Sequence, residues 1–519
     1  MSIESNSQSH RVTHFGGWGD RLVRYLAWIF GILTFLNALY YILRTANPVI
    51  RSDGWYFLDV FVRRVLDGTA GLGDFFVKRH GADHAQPMGK LLLLAQLHYF
   101  DLDFSIESIV GVLSAAVCAL LLYCVIAKSR WNDRTDVGRH IAWAAMCAVL
   151  FSLNAPGIWT WPLVAMQYLT FIPALLFTWT VWRSWQTGRY VLLAVATVTL
   201  GVVDDDSAII IVVAVIVAML FAMICNTAPR DRKAWLTIAV VLLCMSVVRM
   251  CYGLAPVEGG APMSPLSSYL TSLHGRLNEG GGLSWIFIPL GLSVMPRAPL
   301  WGFTASSWSH VVAGIVAILL IAHGLFWWRA IRTRCNLATF IAVCLMLLSY
   351  AWLAGVLVYR VSDYGNDYLY QERYVFLYQF NLIALLLFWA GLPKIGPEVS
   401  TTKYGWIGRW LPVFGSLALI LLQVPLSSSA WHSRKYLVAY YHQMAVQLEQ
   451  LADNPGNTKG CLPELVVCTQ PLPVRKELVQ LLVEHRLNVF SPRMHDWHPY
   501  IPKFQAIPRE GARKDSSSR

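Results

Sequence analysis

The chain has 519 residues, of which 56% are hydrophobic, 13% aromatic and 14% charged, and its mean hydropathy is +0.48. Soluble domains carry roughly 25% charged residues, so this composition excludes an ordinary soluble domain and predicts an all-α polytopic membrane protein. The formal net charge of +12 fits membrane orientation and contact with membrane lipids, and no nucleic-acid partner is expected.

The apolar runs predict about eleven transmembrane helices. A polar segment precedes the first run and no small-residue cleavage site follows it, so no cleaved signal peptide is expected. Each run is near the roughly 20 residues that cross a bilayer. The spans lie near 25–43, 107–126, 140–154, 163–182, 190–204, 208–225, 234–252, 308–328, 336–358, 374–392 and 408–427. The shorter stretch 283–295 is interpreted as a re-entrant or interfacial helix.

Basic residues orient these spans. Every second loop is basic, beginning with Arg21 and Arg24 before the first span and Lys128 and Arg130 after the second. By the positive-inside rule the N-terminus is cytoplasmic and the C-terminus periplasmic, which places the protein in the bacterial inner (cytoplasmic) membrane. We predict a transmembrane domain over 1–427 and a periplasmic C-terminal segment over 428–519.

The first outward loop, 44–106, contains two helical patterns, over 54–68 and 87–100, that we interpret as interfacial helices. The turn between them is rich in cations and imidazoles, which suit an anionic group such as a phosphate. A solvated loop that touches lipid headgroups is the alternative. The candidate phosphate-binding residues are Arg79, His80, His84 and, on the second helix, Lys90.

Asp53 begins the first of these helices, in the segment "RSDGWYFLDV". A carboxylate at this position could be a catalytic base, but Asp is also a common helix N-cap, and the two roles are compatible. Asp59, six residues later, is interpreted as a surface or ion-pairing residue and kept as a possible second acid.

Two further outward loops carry candidate site residues. "VVDDDSAIII" places Asp204, Asp205 and Asp206 between two apolar runs, where they could coordinate a divalent cation, orient a sugar hydroxyl or cap a helix. "QERYVFLYQF" places Glu372 and Arg373 at the first turn of a span. Arg373 could reach the headgroups or clamp a lipid phosphate with both prongs of its guanidinium. The sequence specifies no metal, and no other cofactor is predicted.

The C-terminal segment is predicted to be a small α/β appendage. Cys461 and Cys468 lie in this outward segment, where an oxidising compartment permits a disulfide between them. "PELVVCT" and "LNVF" have the composition of short strands, whereas the segments before each are helical in pattern. The tail from 509 onward is predicted to be disordered.

Together these features resemble the GT-C class of membrane glycosyltransferases, which use polyprenyl-phosphate-linked sugars. The resemblance is carried by Asp53 after the first span, the two interfacial helices, the "ADHAQP" turn with Lys90, and "ERY" at 372–374. Gly54 stands where a second acid often follows in this class. The resemblance implies a polyprenyl-phosphate-linked sugar donor, a glycan or lipid acceptor, and a periplasmic active site.

In this interpretation Asp53 accepts the proton of an acceptor hydroxyl, and Lys90, His84 or Arg373 holds the donor phosphate. Three alternatives remain open. An O-antigen polymerase or ligase would use the late loop 253–307, which offers His274, Arg276 and Arg297. A lipid-linked substrate transporter or flippase would need charges deep within the spans, and these are sparse. A non-catalytic envelope scaffold is the third.

Overall fold

The computed structural model describes residues 15–78, 84–129, 137–253, 266–277, 282–296, 308–392 and 405–501, which are helical with short irregular connections. The chain forms two compact units. The first contains residues 1–46, 72–89 and 107–433, and the second contains 47–71, 90–106 and 434–519. The second unit thus combines parts of the first loop, which the sequence analysis assigned to the membrane domain, with the C-terminal segment.

The helices, in chain order, are α1 (Phe15–Thr45), α2 (Gly54–Phe57), α3 (Arg63–Leu66), α4 (Pro87–Tyr99), α5 (Ser105–Lys128), α6 (Val137–Leu150), α7 (Pro156–Thr160), α8 (Pro162–Ala165), α9 (Gln167–Thr187), α10 (Val191–Val203), α11 (Ser207–Ile224), α12 (Arg232–Gly253), α13 (Leu266–Arg276), α14 (Ser284–Val294), α15 (Trp308–Arg332), α16 (Leu337–Val356), α17 (Ser362–Tyr364), α18 (Val375–Gly391), α19 (Gly405–Asp453), α20 (Leu472–Glu484) and α21 (Pro492–Trp497). The unit boundaries fall within α4, α5 and α19.

Nine helices among the described residues are long and apolar enough to cross a membrane. They confirm a multi-pass helical membrane protein. Two other predicted spans coincide with the shorter apolar helices α6 and α10, and the predicted short helix at 283–295 is α14. The number of helices that cross the bilayer and the orientation of the termini remain predictions.

The core of the first unit is built around α18. In the most apolar stretch of Glu372–Gly391, the span that contains α18, 94% of the residues are buried. In the corresponding stretch of α1, 28% of the residues are buried. Because α16 and α6 pack along α18, the apolar faces of those helices are also removed from the surroundings. The large exposed apolar faces of α1, α12 and α15 are typical of helices that lie against lipid.

The second unit is helical, so the predicted strands are wrong. Val466–Thr469 and Asn488–Phe490 are 3₁₀ turns. The first predicted interfacial helix is present, but a π-helical turn over Leu58–Val62 joins α2 to α3. The predicted disulfide is confirmed: Cys461 and Cys468 are bonded, with their Cα atoms 6.4 Å apart.

Two buried polar side chains hold the irregular backbone of the second unit. Asn488, fully buried, accepts a hydrogen bond from Ile50 N and donates to Pro48 O and Leu102 O, at 3.2, 2.9 and 2.7 Å. Arg475 donates four hydrogen bonds to backbone carbonyls, which belong to Pro455, Val467, Cys468 and Gln470. These bonds replace the partners that a sheet or a helix would otherwise supply.

Candidate functional site

The strongest concentration of charge in the first unit surrounds the connection between α10 and α11. Asp205 at its centre has a φ of +50°, a left-handed conformation that costs a non-glycine residue free energy and persists only where the surroundings impose it. The constraint is visible, because Asp205 Oδ2 accepts a hydrogen bond from Ala85 N at 2.6 Å. The turn before α4 is therefore tied to the acidic connection.

Asp206 forms the ion pairs of this cluster. Lys78 Nζ lies 3.0 Å and Arg249 Nη2 2.5 Å from its carboxylate oxygens, and His84 Nδ1 lies 4.0 Å away. Burial tends to raise the pKa of Asp206, but the hydrogen bonds and positive charges of Lys78 and Arg249 outweigh burial. The pKa of Asp206 therefore lies below its ordinary value.

The other two acids have pKa values above the ordinary range. Burial raises the pKa of Asp205, and the negative charge of Asp206 adds to the effect, while the Ala85 N–H and the charges of His84 and Lys78 oppose it. Burial alone raises the pKa of Asp204 well above its ordinary value, against the smaller opposing effect of the Thr170 hydroxyl. Asp204 is 5% exposed.

His84, Asp205 and Asp206 could together offer three ligand atoms, which lie within 4.8 Å of one another. Three donors are few for Mg²⁺ or Ca²⁺, which take six or more oxygen ligands. Asp205 and Asp206 already face two cations, Lys78 and Arg249. The local charge is therefore balanced without a metal ion.

A second polar feature of the first unit lies immediately before α18. The Arg373 guanidinium carbon is 5.2 Å from the ring centroids of Tyr368 and Tyr374 and 5.8 Å from that of Trp161. Its Nη2 donates to the Tyr368 hydroxyl, whereas its Nε is buried without a hydrogen-bond partner. No carboxylate in the described part of the chain forms an ion pair with Arg373.

Glu372, the neighbour of Arg373, points its carboxylate at a different group. Gly157 N donates a hydrogen bond to Glu372 Oε2 at the start of α7. A Cβ at position 157 would collide with that carboxylate, so a larger residue there would displace the end of the Glu372 side chain. Glu372 thus fixes the turn from which Arg373 extends.

Asp53, Asp59 and Lys90 belong to the second unit. Asp53 is half-buried at the N-cap position of α2, but its side chain makes no capping hydrogen bond. The preceding residue, Ser52, is left-handed with a φ of +47°. Asp59 pairs with Arg63 at 2.5 Å, as its interpretation as a pairing residue predicts.

Lys90 is 2% exposed, and its Nζ lies 5.9 Å from the centroid of the Phe61 ring. A buried ammonium is suited to organising the second unit rather than to meeting a lipid headgroup directly. His84 is the partner of an acidic residue, as described above. Of the three residues predicted to hold the donor phosphate, Arg373 keeps the most suitable surroundings.

The remaining predicted residues divide into those outside the described part of the chain and those on α13. Arg79, His80 and Arg297 lie outside the described residues. His274 and Arg276 lie on α13, an amphipathic helix of the first unit. Sequence reasoning missed Arg249 on α12, because an arginine near the end of a span is commonly interpreted as contacting headgroups. Its spacing of three residues from Tyr252 was the available signal, since such pairs share a helix face.

Comparison with known proteins adds no family. No protein-family model, no curated protein and no solved structure matches the chain. The function therefore has to be inferred from the chemistry of the acidic connection between α10 and α11, of Arg373 and of Asp53.

Proposed function

We propose that the protein is an integral membrane glycosyltransferase that transfers a sugar from a polyprenyl-phosphate donor to a glycan or lipid acceptor. The observation that carries the proposal is the environment of Arg373. Its guanidinium lies among three aromatic rings, its Nε is buried without a hydrogen-bond partner, and it has no carboxylate partner in the described part of the chain.

These surroundings favour a phosphate ligand. The planar guanidinium binds two phosphate oxygens with parallel hydrogen bonds and stacks on aromatic rings, whereas an ammonium does neither. Arg373 is half-buried beside the three rings, and partial removal of a cation from water strengthens its attraction to an anion. Arg373 also lies in the first turn of a membrane span, which is the depth expected for the headgroup of a lipid substrate.

Phosphate binding at this position has a chemical consequence. When the bond from the sugar to the phosphate breaks, negative charge grows on the phosphate that leaves. A fixed guanidinium stabilises that growing charge more than the charge of the intact donor, and this difference lowers the barrier. The proposal therefore assigns Arg373 to both donor binding and departure of the lipid phosphate.

Asp53 is proposed as the general base. Its carboxylate could accept the proton of an acceptor hydroxyl. One observation supports this role: Ser52 beside it has a left-handed, strained backbone conformation with a φ of +47°. Such strain is common at active sites.

The Cys461–Cys468 disulfide supports a periplasmic location for the chemistry. Disulfides persist in oxidising compartments and are rare in the cytosol. The bond lies in the second unit, which also contains Asp53. This agrees with the basic cytoplasmic loops, from which the sequence predicts a bacterial inner membrane protein with an outward active site.

The test is deletion of the gene in its own organism followed by mass spectrometry of the membrane lipids. A missing transferase should leave its polyprenyl-phosphate monosaccharide unused, so that this lipid accumulates and one glycan or lipid loses a sugar. Wild-type protein should restore both species, and Arg373→Gln should restore neither.

Arg332→Gln is the matched control. The Arg332 guanidinium carbon also lies over an aromatic ring, 4.6 Å from the Trp328 centroid, but at the C-terminal end of α15. This variant should restore both species fully. Unchanged lipids in the deletion strain, or full rescue by Arg373→Gln, would contradict the proposal. Accumulation of a complete, multi-sugar lipid-linked glycan would instead indicate a flippase or a polymerase.

A further inference from the structure

A buried acceptor and a buried donor, on Asp205 and Arg249, face each other without a hydrogen bond beside the connection between α10 and α11. Asp205 is 2% exposed. Its Oδ2 accepts the hydrogen bond from Ala85 N, whereas its Oδ1 has no hydrogen-bond partner. Arg249 Nη2 pairs with Asp206, whereas Arg249 Nη1 is buried without a hydrogen-bond partner. The two unsatisfied atoms are 3.7 Å apart.

A separation of 3.7 Å is too long for a hydrogen bond, although the opposite charges attract. Leaving a buried donor or acceptor unpaired costs about 1 to 3 kcal/mol each. A third group that bonds to both atoms would remove this cost. The geometry specifies what such a group must do: donate a hydrogen bond to Asp205 Oδ1 and accept a hydrogen bond from Arg249 Nη1.

Few chemical groups can do both. A phosphate or carboxylate would be repelled by Asp205, and an ammonium or a metal ion would be repelled by Arg249. A hydroxyl donates one hydrogen bond and accepts others. We propose that Asp205 and Arg249 form a subsite that binds one hydroxyl of the sugar transferred or of the sugar that accepts it. This inference rests on the proposed function and adds to it the residues that recognise the carbohydrate.

Aromatic rings beside the pair fit this ligand. Tyr252 lies one turn after Arg249 on α12, with its ring centroid 5.3 Å from the guanidinium carbon. Phe76 packs edge-on against Tyr252 at 5.4 Å. Small-molecule sites usually combine apolar and aromatic walls with a few fixed polar groups, and a sugar presents both C–H faces and hydroxyl edges.

Asp205→Asn is the informative substitution. Asn keeps a carbonyl oxygen for Ala85 N, and it tolerates the left-handed conformation of residue 205 better than other side chains do. The substitution places an N–H where Oδ1 was, so that two donors face each other and a hydroxyl loses its acceptor. Folding should survive, while recognition of the hydroxyl should not.

The matched control is Asp231→Asn. Asp231 Oδ1 accepts a hydrogen bond from Ala234 N at 3.0 Å, at the opposite end of α12 from Arg249. Asn makes the same bond with its carbonyl oxygen. This variant therefore repeats the change from acid to amide in the same unit without touching the proposed subsite.

The experiment uses the full-length protein in lipid nanodiscs. Dissociation constants are measured for undecaprenyl phosphate and for the same lipid bearing glucose, galactose, mannose, arabinose or N-acetylglucosamine. If the hydroxyl belongs to the donor, at least one glycolipid should bind wild type at least tenfold more tightly than the bare lipid. Asp205→Asn should abolish that advantage and leave the affinity for bare lipid unchanged, and Asp231→Asn should match wild type.

If the hydroxyl belongs to the acceptor, no glycolipid will show an advantage. In transfer assays with extracted donor and acceptor lipids, Asp205→Asn should then raise the KM for the acceptor at least tenfold and leave the KM for the donor unchanged. Both results support the subsite and distinguish its two sources.

Three outcomes would overturn the inference. If Asp205→Asn changed neither binding nor KM while transfer continued, an ordered water would fill the gap and the proposed function would stand alone. If wild type bound Mg²⁺ or Mn²⁺ at least tenfold more tightly than Asp205→Asn, the cluster would be a metal site. If no lipid bound and no transfer occurred, the proposed function would fail and the sugar subsite with it.

Discussion

Arg373 is half-buried in the first unit and Arg475 is buried in the second. The two side chains use their hydrogen-bond donors in opposite ways. Arg475 directs four donors at four backbone carbonyls of the loop that contains the disulfide. Arg373 makes one bond to a tyrosine hydroxyl and retains a buried Nε without a partner. Arg475 supplies backbone carbonyls with donors that a helix or a sheet would otherwise provide, whereas the Arg373 bond goes to a side-chain hydroxyl and satisfies no backbone group.

The difference gives a criterion for separating stabilising residues from residues available to a ligand. A charged side chain whose hydrogen bonds all end within the chain should affect stability when it is replaced. One with buried, unsatisfied atoms should affect binding or turnover instead. Asp206, which is paired with Lys78 and Arg249, and Asp205, whose Oδ1 lacks a hydrogen bond, repeat the contrast within one connection.

The largest effect is expected at Asp53, where stability and activity should separate completely. Asp53→Asn removes the group that accepts a proton, so turnover should fall by roughly 10²- to 10⁴-fold. The melting temperature should stay close to that of wild type, because Asn has nearly the size of Asp and is equally favourable at an N-cap. Transfer of radiolabelled sugar and thermal denaturation in detergent measure the two quantities. Normal transfer by a folded Asp53→Asn variant would move the base elsewhere.

The comparison of the two arginines is tested directly by Arg475→Gln and Arg373→Gln. The first leaves buried carbonyls without donors and should lower the stability of the second unit by about 2 to 4 kcal/mol. The second should change stability by less than about 1 kcal/mol while it impairs donor use. Thermal denaturation together with limited proteolysis of the loop 454–470 reports both. Equal losses of stability in the two variants would refute the criterion.

A smaller effect is expected from the disulfide. Replacing both Cys461 and Cys468 by Ser opens a short loop, for which the chain-entropy relation gives about 2 to 3 kcal/mol. Adding a thiol reductant should destabilise wild type by a similar amount and leave the double variant unchanged. Cys124→Ser, at an exposed free cysteine of the first unit, should retain the reductant sensitivity of wild type. Insensitivity of wild type would show that the loop does not depend on the bond.

The smallest effect is a pH dependence at Asp206. Because its pKa is lowered in the folded protein, its ion pairs stabilise the fold above the ordinary carboxyl pKa and are lost as pH falls through the folded value. The melting temperature of wild type should therefore decrease between about pH 5 and pH 2 more steeply than that of Asp206→Asn. Parallel curves would show that the Lys78 and Arg249 pairs contribute nothing measurable.

Much of the fold could be predicted because helices that lie in lipid are specified by local composition. The apolar runs located the helices, and the pattern over 87–100 located α4. The strands over "PELVVCT" and "LNVF" were wrong for a non-local reason. Their β-branched residues favour strands, but the carbonyls of Val467 and Cys468 bind Arg475 instead of a neighbouring strand.

The candidate sites were less predictable, because their contacts join distant parts of the chain. Lys78 and Asp206 are 128 residues apart in sequence, and no local pattern indicates that the turn predicted to hold a phosphate faces an acid. Arg373 was identified from its position at the start of a span, but its surroundings depend on Trp161. Types of residue could be assigned from sequence, whereas the partners that satisfy or leave open their hydrogen bonds could not.

Asn488 has a consequence for the order in which the chain is made. Its side chain binds the carbonyls of Pro48 and Leu102, and the second of these is 386 residues earlier. At about 5 to 20 residues per second, synthesis needs roughly 20 to 90 s to extend from these carbonyls to Asn488. The early segment of the second unit must therefore remain soluble and unaggregated during translation, and removal of residues 488–519, which include Asn488, should leave it open to proteases.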